Sequence, residues 1–144
     1  MKGFGRLSGR DAGKRAVRVY VCRGCETHYK ADKPAQCHCG RMDFDTFSST
    51  GEANMWAGLR LRERRGQISQ LRRQTRHALF AFGPHGEPVQ VGIYIDDASF
   101  IEDGKSVIVD HKPASGMDPL AALKLEIMKA MGKPVTIHTR SRRP

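Results

Sequence analysis

The sequence predicts an α/β (α+β) domain over residues 47–144, preceded by a cysteine-containing module at 19–46 and a flexible basic arm at 1–18. Three observations predict this order. Apolar residues recur at helical spacing in two stretches of the second half, and between them apolar and polar residues alternate as they do in strands. Two close pairs of cysteines stand ahead of the first helical stretch. Basic residues and glycines make up most of the first eighteen positions.

The first element of the larger domain is a helix. Residues 49–52, Ser-Thr-Gly-Glu, have the form of a capping box, in which a side chain at each end satisfies a free backbone N–H. Met55, Trp56 and Leu59 then follow at helical spacing. We therefore expect a helix that runs to about Arg65 and ends at Gly66.

Strands follow the helix. Ile68 and Leu71 belong to a connection, and the alternation at 75–82 and 89–95 predicts two strands around a turn rich in glycine and proline. Residues 96–101 are expected to continue as strand, 102–105 to form a tight hairpin, and 106–112 to return.

A second helix and a final strand complete the domain. Asp118 is placed to cap the helix, Pro119 suits its first position, and Gly132 ends it. Val135, Ile137 and Thr139 alternate in the last strand. The predicted apolar stripe of the helix consists of Leu120, Leu123, Ile127 and Met131.

The cysteines predict a zinc site. Two residues separate Cys22 from Cys25, as in the thiolate pairs of a tetrahedral zinc ribbon. The second pair has one intervening residue where a ribbon usually has two, so His38 or His28 remains open as a replacement ligand. Reduced cysteines without a metal are the alternative. A structural Zn²⁺ is expected, held by Cys22, Cys25, Cys37 and Cys39.

The charge of the chain favours a polyanionic partner. The 144 residues include 25 Lys and Arg against 15 Asp and Glu, a net charge of +10. The positive residues gather in the arm, in an arginine block at 60–76 and in the tail at 140–143. Such clusters can neutralise phosphates, although a solubilising surface is the alternative. The residues predicted to contact nucleic acid are Arg60, Arg64, Arg65, Arg72, Arg73 and Lys124.

The composition also bears on location. No run of residues approaches the roughly 18 apolar residues of a membrane span. The N-terminus lacks the apolar segment of a signal peptide, so we expect a cytoplasmic protein with no membrane partner. Thiols stay reduced in that compartment, which favours metal binding over disulfides.

The acidic residues are concentrated in one stretch. Five of the fifteen lie within positions 96–110, which contain a single lysine. Carboxylates gathered in a protein that seeks phosphate would repel it unless a cation lay between them, and Mg²⁺ prefers such oxygen ligands. The five acids are Asp96, Asp97, Glu102, Asp103 and Asp110.

The order of these residues resembles a nuclease motif. Asp97, then a hairpin, then Asp110 and Lys112 resemble the motif of the PD-(D/E)xK superfamily, and Glu52 resembles its third acid. The stretch from Phe47 to Ile137 resembles more closely a phage-encoded, endonuclease-like family of unknown function. That likeness rests on Gly66-Gln67-Ile68, on Tyr94-Ile95-Asp96-Asp97 and on Lys124.

The resemblance implies a restriction-endonuclease-like core, ordered α-β-β-β-α-β, with a mixed sheet flanked by helices. It implies hydrolysis of DNA with Mg²⁺ or Mn²⁺, with Holliday junctions or other branched DNA as substrate and the host cytoplasm as location. Homodimers are usual among such resolvases, and a homodimer stays open here. Glu52, Asp97 and Asp110 would bind the metal, and Lys112 would be their electrostatic partner. Asp110 departs from the glutamate that is commoner at its position.

Each of these residues also has a simpler interpretation. Glu52 can serve only the capping box, and Asp110 with Lys112 can form an exposed ion pair. Which of the adjacent aspartates would bind metal is open, and we prefer Asp97 by its motif position. Two rival functions follow: a noncatalytic zinc-ribbon DNA-binding protein, and an assembly factor that contacts replication proteins. Residues expected to be structural or solvent-facing are Asp96, Glu102, Asp103, Lys105, His111, Trp56 and, as a surface lysine, Lys124.

Overall fold

The computed structural model describes residues 17–112 and 116–139. The chain divides into two compact units, an N-terminal unit at Met1–Ser49 and a C-terminal unit at Thr50–Pro144. Most of the predicted arm at 1–18, the loop at 113–115 and the basic tail lie outside the described residues. Within the described part, no helix has the length and apolar character that a membrane crossing requires.

The N-terminal unit contains a three-stranded antiparallel sheet in the order β2-β1-β3. Val19 and Val21 are buried from alternate positions of the central strand, and Phe44 packs with two of the cysteines. The third strand includes Phe47, one residue past the predicted end of the module at 46. The strands are β1 (Val19–Cys22), β2 (His28–Lys30) and β3 (Phe44–Phe47).

The C-terminal unit begins with a helix and contains most of the strands. The first helix ends just before Gly66, which has a φ of +69°. The Asp118 side chain accepts a hydrogen bond from the Ala121 N–H and caps the second helix, as predicted. The elements are α1 (Thr50–Arg64), β4 (Ser69–Arg73), β5 (Arg76–Phe82), β6 (Pro88–Ile95), β7 (Ala98–Glu102), β8 (Lys105–Lys112), α2 (Pro119–Ala130) and β9 (Val135–Thr139).

The strands of this unit belong to two sheets. A mixed sheet has the order β4-β7-β8-β9, in which β8 and β9 are parallel and the other neighbours antiparallel, while β5 and β6 form a separate antiparallel pair. The mixed α+β class is therefore confirmed. The prediction of a connection at Ile68 and Leu71 is wrong at Leu71, which lies in β4 and so in the pairing with β7, whereas Ile68 precedes that strand. The register shift in the β4–β7 pairing and the positive φ of Gln70 interrupt the alternation of apolar and polar residues by which a strand is recognised in a sequence.

The chain leaves one sheet for the other at Asp96 and Asp97. Strand β6 ends at Ile95 and β7 begins at Ala98, so the prediction of a strand from position 96 is wrong at its start. The Asp96 N–H still donates to the Thr75 carbonyl, at 3.1 Å, as the last bond of the hairpin. The two aspartates therefore occupy a link, where strand alternation no longer decides which way a side chain points.

One buried cluster of the C-terminal unit lies between α2 and the strands. It consists of Leu79, Tyr94, Ile108 and Met128. The predicted stripe of α2 is wrong at its beginning, because Leu120 and Leu123 are 61% and 57% exposed, while Met128 is fully buried. The buried contacts of the helix are made by its C-terminal half, where Leu125, Ile127 and Met131 pack against the cluster.

Candidate functional site

The four cysteines of the N-terminal unit lie together. Their sulfur atoms are all within 4.8 Å of one another, with Cys22 and Cys39 at 3.6 Å and Cys25 and Cys37 at 3.4 Å. Sulfurs bound to a tetrahedral Zn²⁺ at about 2.3 Å stand about 3.8 Å apart, and disulfide sulfurs about 2 Å apart. The spacing is therefore that of metal ligands, and the cluster could bind a metal such as zinc.

The structure favours Cys39 over either histidine as the fourth ligand. Neither His28 nor His38 belongs to the sulfur cluster, and the Nδ1 atom of His38 lies 3.3 Å from the Tyr29 hydroxyl. The Gly40 N–H donates to the Cys37 carbonyl at 2.8 Å, which closes a tight turn, and Gly40 has a φ of +87°. This turn lets cysteines separated by one residue both reach the cluster.

The thiols differ in how readily they ionise. Hydrogen bonds from the Thr27 side chain and backbone lower the pKa of Cys25 to about 6, so it is largely thiolate at neutral pH. At Cys39 a backbone hydrogen bond from Arg41 acts to lower the pKa, but burial and the neighbouring sulfurs raise it to about 11. Four sulfurs in contact cannot all carry negative charge without a cation, and a bound Zn²⁺ would supply the compensating positive charge.

In the C-terminal unit, Asp97, Asp110 and Lys112 lie together. The Lys112 Nζ atom is 2.6 Å from Oδ2 of Asp110. The carboxyl groups of Asp97 and Asp110 share a hydrogen bond, and the His111 N–H donates to Oδ2 of Asp97 at 2.6 Å. The hydroxyl of Tyr94 donates to Oδ2 of Asp110 at 2.8 Å. The link after β6 and the end of β8 thus supply one cluster of charged groups, which we call the carboxylate site.

The two carboxyl groups of this site titrate in opposite directions. Burial, together with the hydrogen bond to Asp110, raises the pKa of Asp97 to about 8. Burial acts in the same direction on Asp110, but its hydrogen bonds with Asp97, Lys112 and Tyr94 hold its pKa below the usual value. Near neutral pH the pair therefore shares one proton. A hard cation would bind the same oxygens in their deprotonated form.

Glu52 stands near this pair without joining it. It is buried in the first turn of α1, and its negative charge contributes to the raised pKa of Asp97. Its Oε1 atom is 3.8 Å from Nη2 of Arg73, whose guanidinium lies over the Trp56 ring, 5.6 Å from the centroid. In the described part of the chain, the cysteines form a group of ligand atoms all within 4.8 Å, whereas Glu52, Asp97 and Asp110 do not.

No family model, curated protein or solved structure matches this chain.

Asp96 was expected to be a turn or solvent-facing acid. It lies outside the strands, in the link between β6 and β7, but it is buried, with 1% of its surface exposed. Its Oδ2 atom lies 2.8 Å from Nε2 of His77, and its Oδ1 atom accepts the Thr75 N–H at 2.9 Å. Both carboxylate oxygens of Asp96 therefore already have protein partners. The aspartate that interacts with Asp110 is Asp97. No local sequence pattern links Asp96 to His77, which is 19 positions earlier.

Glu102 was expected to be a turn or solvent-facing acid of the hairpin at 102–105. It ends β7 and pairs with Lys105 across the turn, but it is half-buried and forms an ion pair with Arg62, which lies over the Phe100 ring. Trp56 is buried, as expected of a core residue. The predicted nucleic-acid contacts include half-buried and exposed positions: Arg60, Arg73 and Lys124 are half-buried, and Arg64, Arg65 and Arg72 are exposed.

Proposed function

We propose that this protein is an endonuclease that hydrolyses DNA phosphodiester bonds with Mg²⁺ or Mn²⁺. The observation that carries the proposal is the convergence of Asp97, Asp110 and Lys112. Two carboxyl groups in hydrogen-bonding contact, with an ammonium 2.6 Å from one of them, form the charge arrangement that phosphoryl chemistry uses. The resemblance to the PD-(D/E)xK superfamily, and with it a restriction-endonuclease-like core, belongs to the same proposal.

The donor set suits a divalent cation. Mg²⁺ typically takes one or two carboxylates from the protein and keeps several waters. Asp97 and Asp110 supply two carboxylates, and a cation between them would replace the proton they share. Glu52 would act on it at longer range or through water. When bound, the metal supplies a water that ionises near neutral pH and stabilises charge on phosphate oxygens.

The basic groups of the site would act on the phosphate. Lys112 lies two residues from Asp110 in β8, so both side chains project from the same face of the strand. Its ammonium can orient a water molecule or offset charge that develops on the phosphate. Arg73, fixed by its contacts with Glu52 and Trp56, keeps a second positive charge beside the site.

The cysteine cluster would be a zinc ribbon with a structural Zn²⁺, since four protein sulfurs leave no position open for chemistry. The arginines of α1 and β4 would grip the DNA backbone without reading sequence. We place the substrate among branched DNA, Holliday junctions in particular, and leave a homodimer within the proposal, because the resemblance implies both.

A second candidate is a noncatalytic zinc-ribbon DNA-binding protein on a nuclease-like scaffold. One observation favours it: Asp110 and Glu52 each already have a basic side chain nearby, Lys112 at 2.6 Å and Arg73 at 3.8 Å. Acids that are neutralised inside the protein can be structural.

The decisive experiment is a cleavage assay of the zinc-loaded chain on linear, flapped and four-way-junction DNA, with Mg²⁺, with Mn²⁺ and without either. We expect cutting that requires the divalent metal and is lost in Asp110→Asn and Lys112→Ala. Asp103→Asn and Lys105→Ala, which alter exposed residues of the neighbouring hairpin, are the matched controls and should cut normally. Undiminished cutting by both site variants would refute the catalytic assignment. Metal-independent DNA binding without cutting would favour the second candidate.

The preference for branched DNA is tested separately by competition. At physiological salt, a four-way junction should displace a bound linear duplex at lower concentration than the same duplex does. Equal competition would remove the branched-substrate part of the proposal and leave the cleavage chemistry untouched.

A further inference from the structure

Tyr94 contacts the carboxylate site through its hydroxyl. Its side chain is buried, and its hydroxyl donates to Oδ2 of Asp110. Lys112 contacts the same oxygen. Both donors therefore hold Asp110 by one side of its carboxylate, and Oδ1 is the oxygen that neither of them engages.

A second layer of polar groups, one buried and the others half-buried, lies beside Tyr94. Its ring is packed beside the His77 ring, with centroids 6.2 Å apart and planes inclined at 36°. His77 in turn is hydrogen-bonded to Asp96, which also accepts the Thr75 N–H. The Thr75 hydroxyl is 2.9 Å from the Ser99 hydroxyl. This chain of contacts joins the β5–β6 hairpin to β7 and ends at the Asp110 carboxylate.

An energetic requirement holds this network together. A buried carboxylate without partners is costly, so Asp96 keeps His77 and Thr75 in place to satisfy both of its oxygens. His77 is thereby fixed beside the Tyr94 ring, and the ring cannot turn without disturbing it. The hydroxyl of Tyr94 is consequently presented to Asp110 from a fixed direction.

We propose that Tyr94 is a positioning residue that orients the Asp110 carboxylate toward a divalent cation, and that the His77–Asp96 pair holds the Tyr94 ring. This inference rests on the proposed function and names a further residue of the same site. Without the hydroxyl, Lys112 would be the remaining donor to Oδ2, and the carboxylate could rotate so that both oxygens compete for the ammonium. Loss of such supporting hydrogen bonds typically weakens metal affinity about 10–100-fold.

The test is a Mn²⁺ titration of the zinc-loaded full chain, in which electron paramagnetic resonance measures the free Mn²⁺. We expect one Mn²⁺ to bind the wild-type chain, binding to be lost in Asp110→Asn, and the affinity of Tyr94→Phe to fall about tenfold or more. Tyr20→Phe makes the same chemical change in β1 and should leave the affinity unchanged. Circular dichroism of Tyr94→Phe should match that of the wild type.

His77→Gln tests the second layer separately. A glutamine amide can still donate to Asp96, but it removes the ring beside Tyr94. We expect Mn²⁺ affinity to fall in the same direction as in Tyr94→Phe, by a smaller factor. An unchanged affinity would remove the His77–Asp96 pair from the inference.

Two results would overturn the role of Tyr94: wild-type affinity in Tyr94→Phe, or the absence of any Mn²⁺ site that depends on Asp110. A wild-type chain that binds Mn²⁺ through Asp110 but cuts no DNA would instead refute the proposed function. In that case a weaker Tyr94→Phe site would still support the positioning role, so the two failures are distinguishable.

Discussion

The cysteine cluster and the carboxylate site differ in what can compensate the negative charge of their side chains. Both gather acidic side chains that repel one another when ionised. The four sulfurs mainly face each other, and the nearby cation Arg41 is already paired with Asp43. In the carboxylate site the protein itself supplies Lys112 and the Tyr94 hydroxyl. We therefore expect the first cluster to need a metal in order to fold, and the second to form without one.

Zinc removal should therefore have the largest effect. We expect Cys37→Ser, or extraction of zinc by a chelator, to abolish the ordered amide signals of the N-terminal unit in an NMR spectrum, because metal binding and folding are coupled in such modules. Signals of the C-terminal unit should persist. His38→Ala is the control and should retain one zinc per chain. Retention of the β1–β3 signals without zinc would break the comparison.

Substitution in the carboxylate site should act on activity rather than on folding. A direct metal ligand should matter more than supporting groups, so Asp110→Asn should lower kcat by at least about 10²-fold. Because Glu52 stands outside the closest group, Glu52→Gln should lower it less. Single-turnover cleavage at saturating Mg²⁺ measures both. A larger loss in Glu52→Gln than in Asp110→Asn would reverse the assigned roles.

The stability of the C-terminal unit should come from its apolar core. Met128 is fully buried, so Met128→Ala should destabilise this unit by about 3 kcal/mol through lost packing and a cavity. Leu123→Ala, on the exposed part of the same helix, should change stability by less than about 0.5 kcal/mol. Urea unfolding of both variants gives the comparison. Equal losses would contradict the observed packing of α2.

Arg73 tests whether a cation supplied by the protein stabilises the acids. Its side chain is 17% exposed and that of Glu52 is 9% exposed, so Arg73→Ala should destabilise the unit by about 2 kcal/mol after allowance for solvent. The neighbouring Arg72 is exposed, and Arg72→Ala is the matched control with little expected effect. Identical unfolding curves for the two variants would show that Arg73 contributes no more to the free energy of unfolding than the exposed Arg72 does.

The effect expected at Asp97 depends on pH. Its pKa is raised to about 8, above the unfolded value, so its contribution to stability falls as pH rises from about 4 to about 8. Asp97→Asn removes this penalty, because an amide can still accept the His111 N–H and donate to Asp110. In zinc-containing buffer without Mg²⁺ at pH 9, the variant should unfold at a higher temperature than the wild type. A lower unfolding temperature would mean that the ionised carboxylate is stabilising.

Local signals predicted much of this fold, because the forces that set them are local. Capping by Asp118, the first-position Pro119 and the glycine after α1 mark the helix ends in any context. The paired cysteines and the hairpin at 102–105 are likewise short-range patterns. These positions agree with the structure because few other conformations satisfy the backbone there.

The remaining features depend on contacts between distant residues. Asp96 can be buried because His77, far from it in the sequence, is its hydrogen-bond partner. The division into two sheets depends on which strands pair, and β4 pairs with β7 through a shifted register. The exposed Leu120 and Leu123 show that helical periodicity identifies an apolar face without showing which part of it is covered. In the carboxylate site, spacing placed Asp110 beside Lys112, whereas the hydrogen bond from Tyr94 could be found only from the structure.

The most direct test of the central claim is a crystal of the zinc-loaded protein soaked in Mn²⁺, with anomalous diffraction used to locate both metals. The account predicts a zinc peak among the four cysteine sulfurs and a manganese peak within about 2.1 Å of one oxygen each of Asp97 and Asp110. The zinc peak serves as the internal control for the measurement. Manganese that binds elsewhere, or an Asp97–Asp110 pair without a peak beside a visible zinc, would contradict the account.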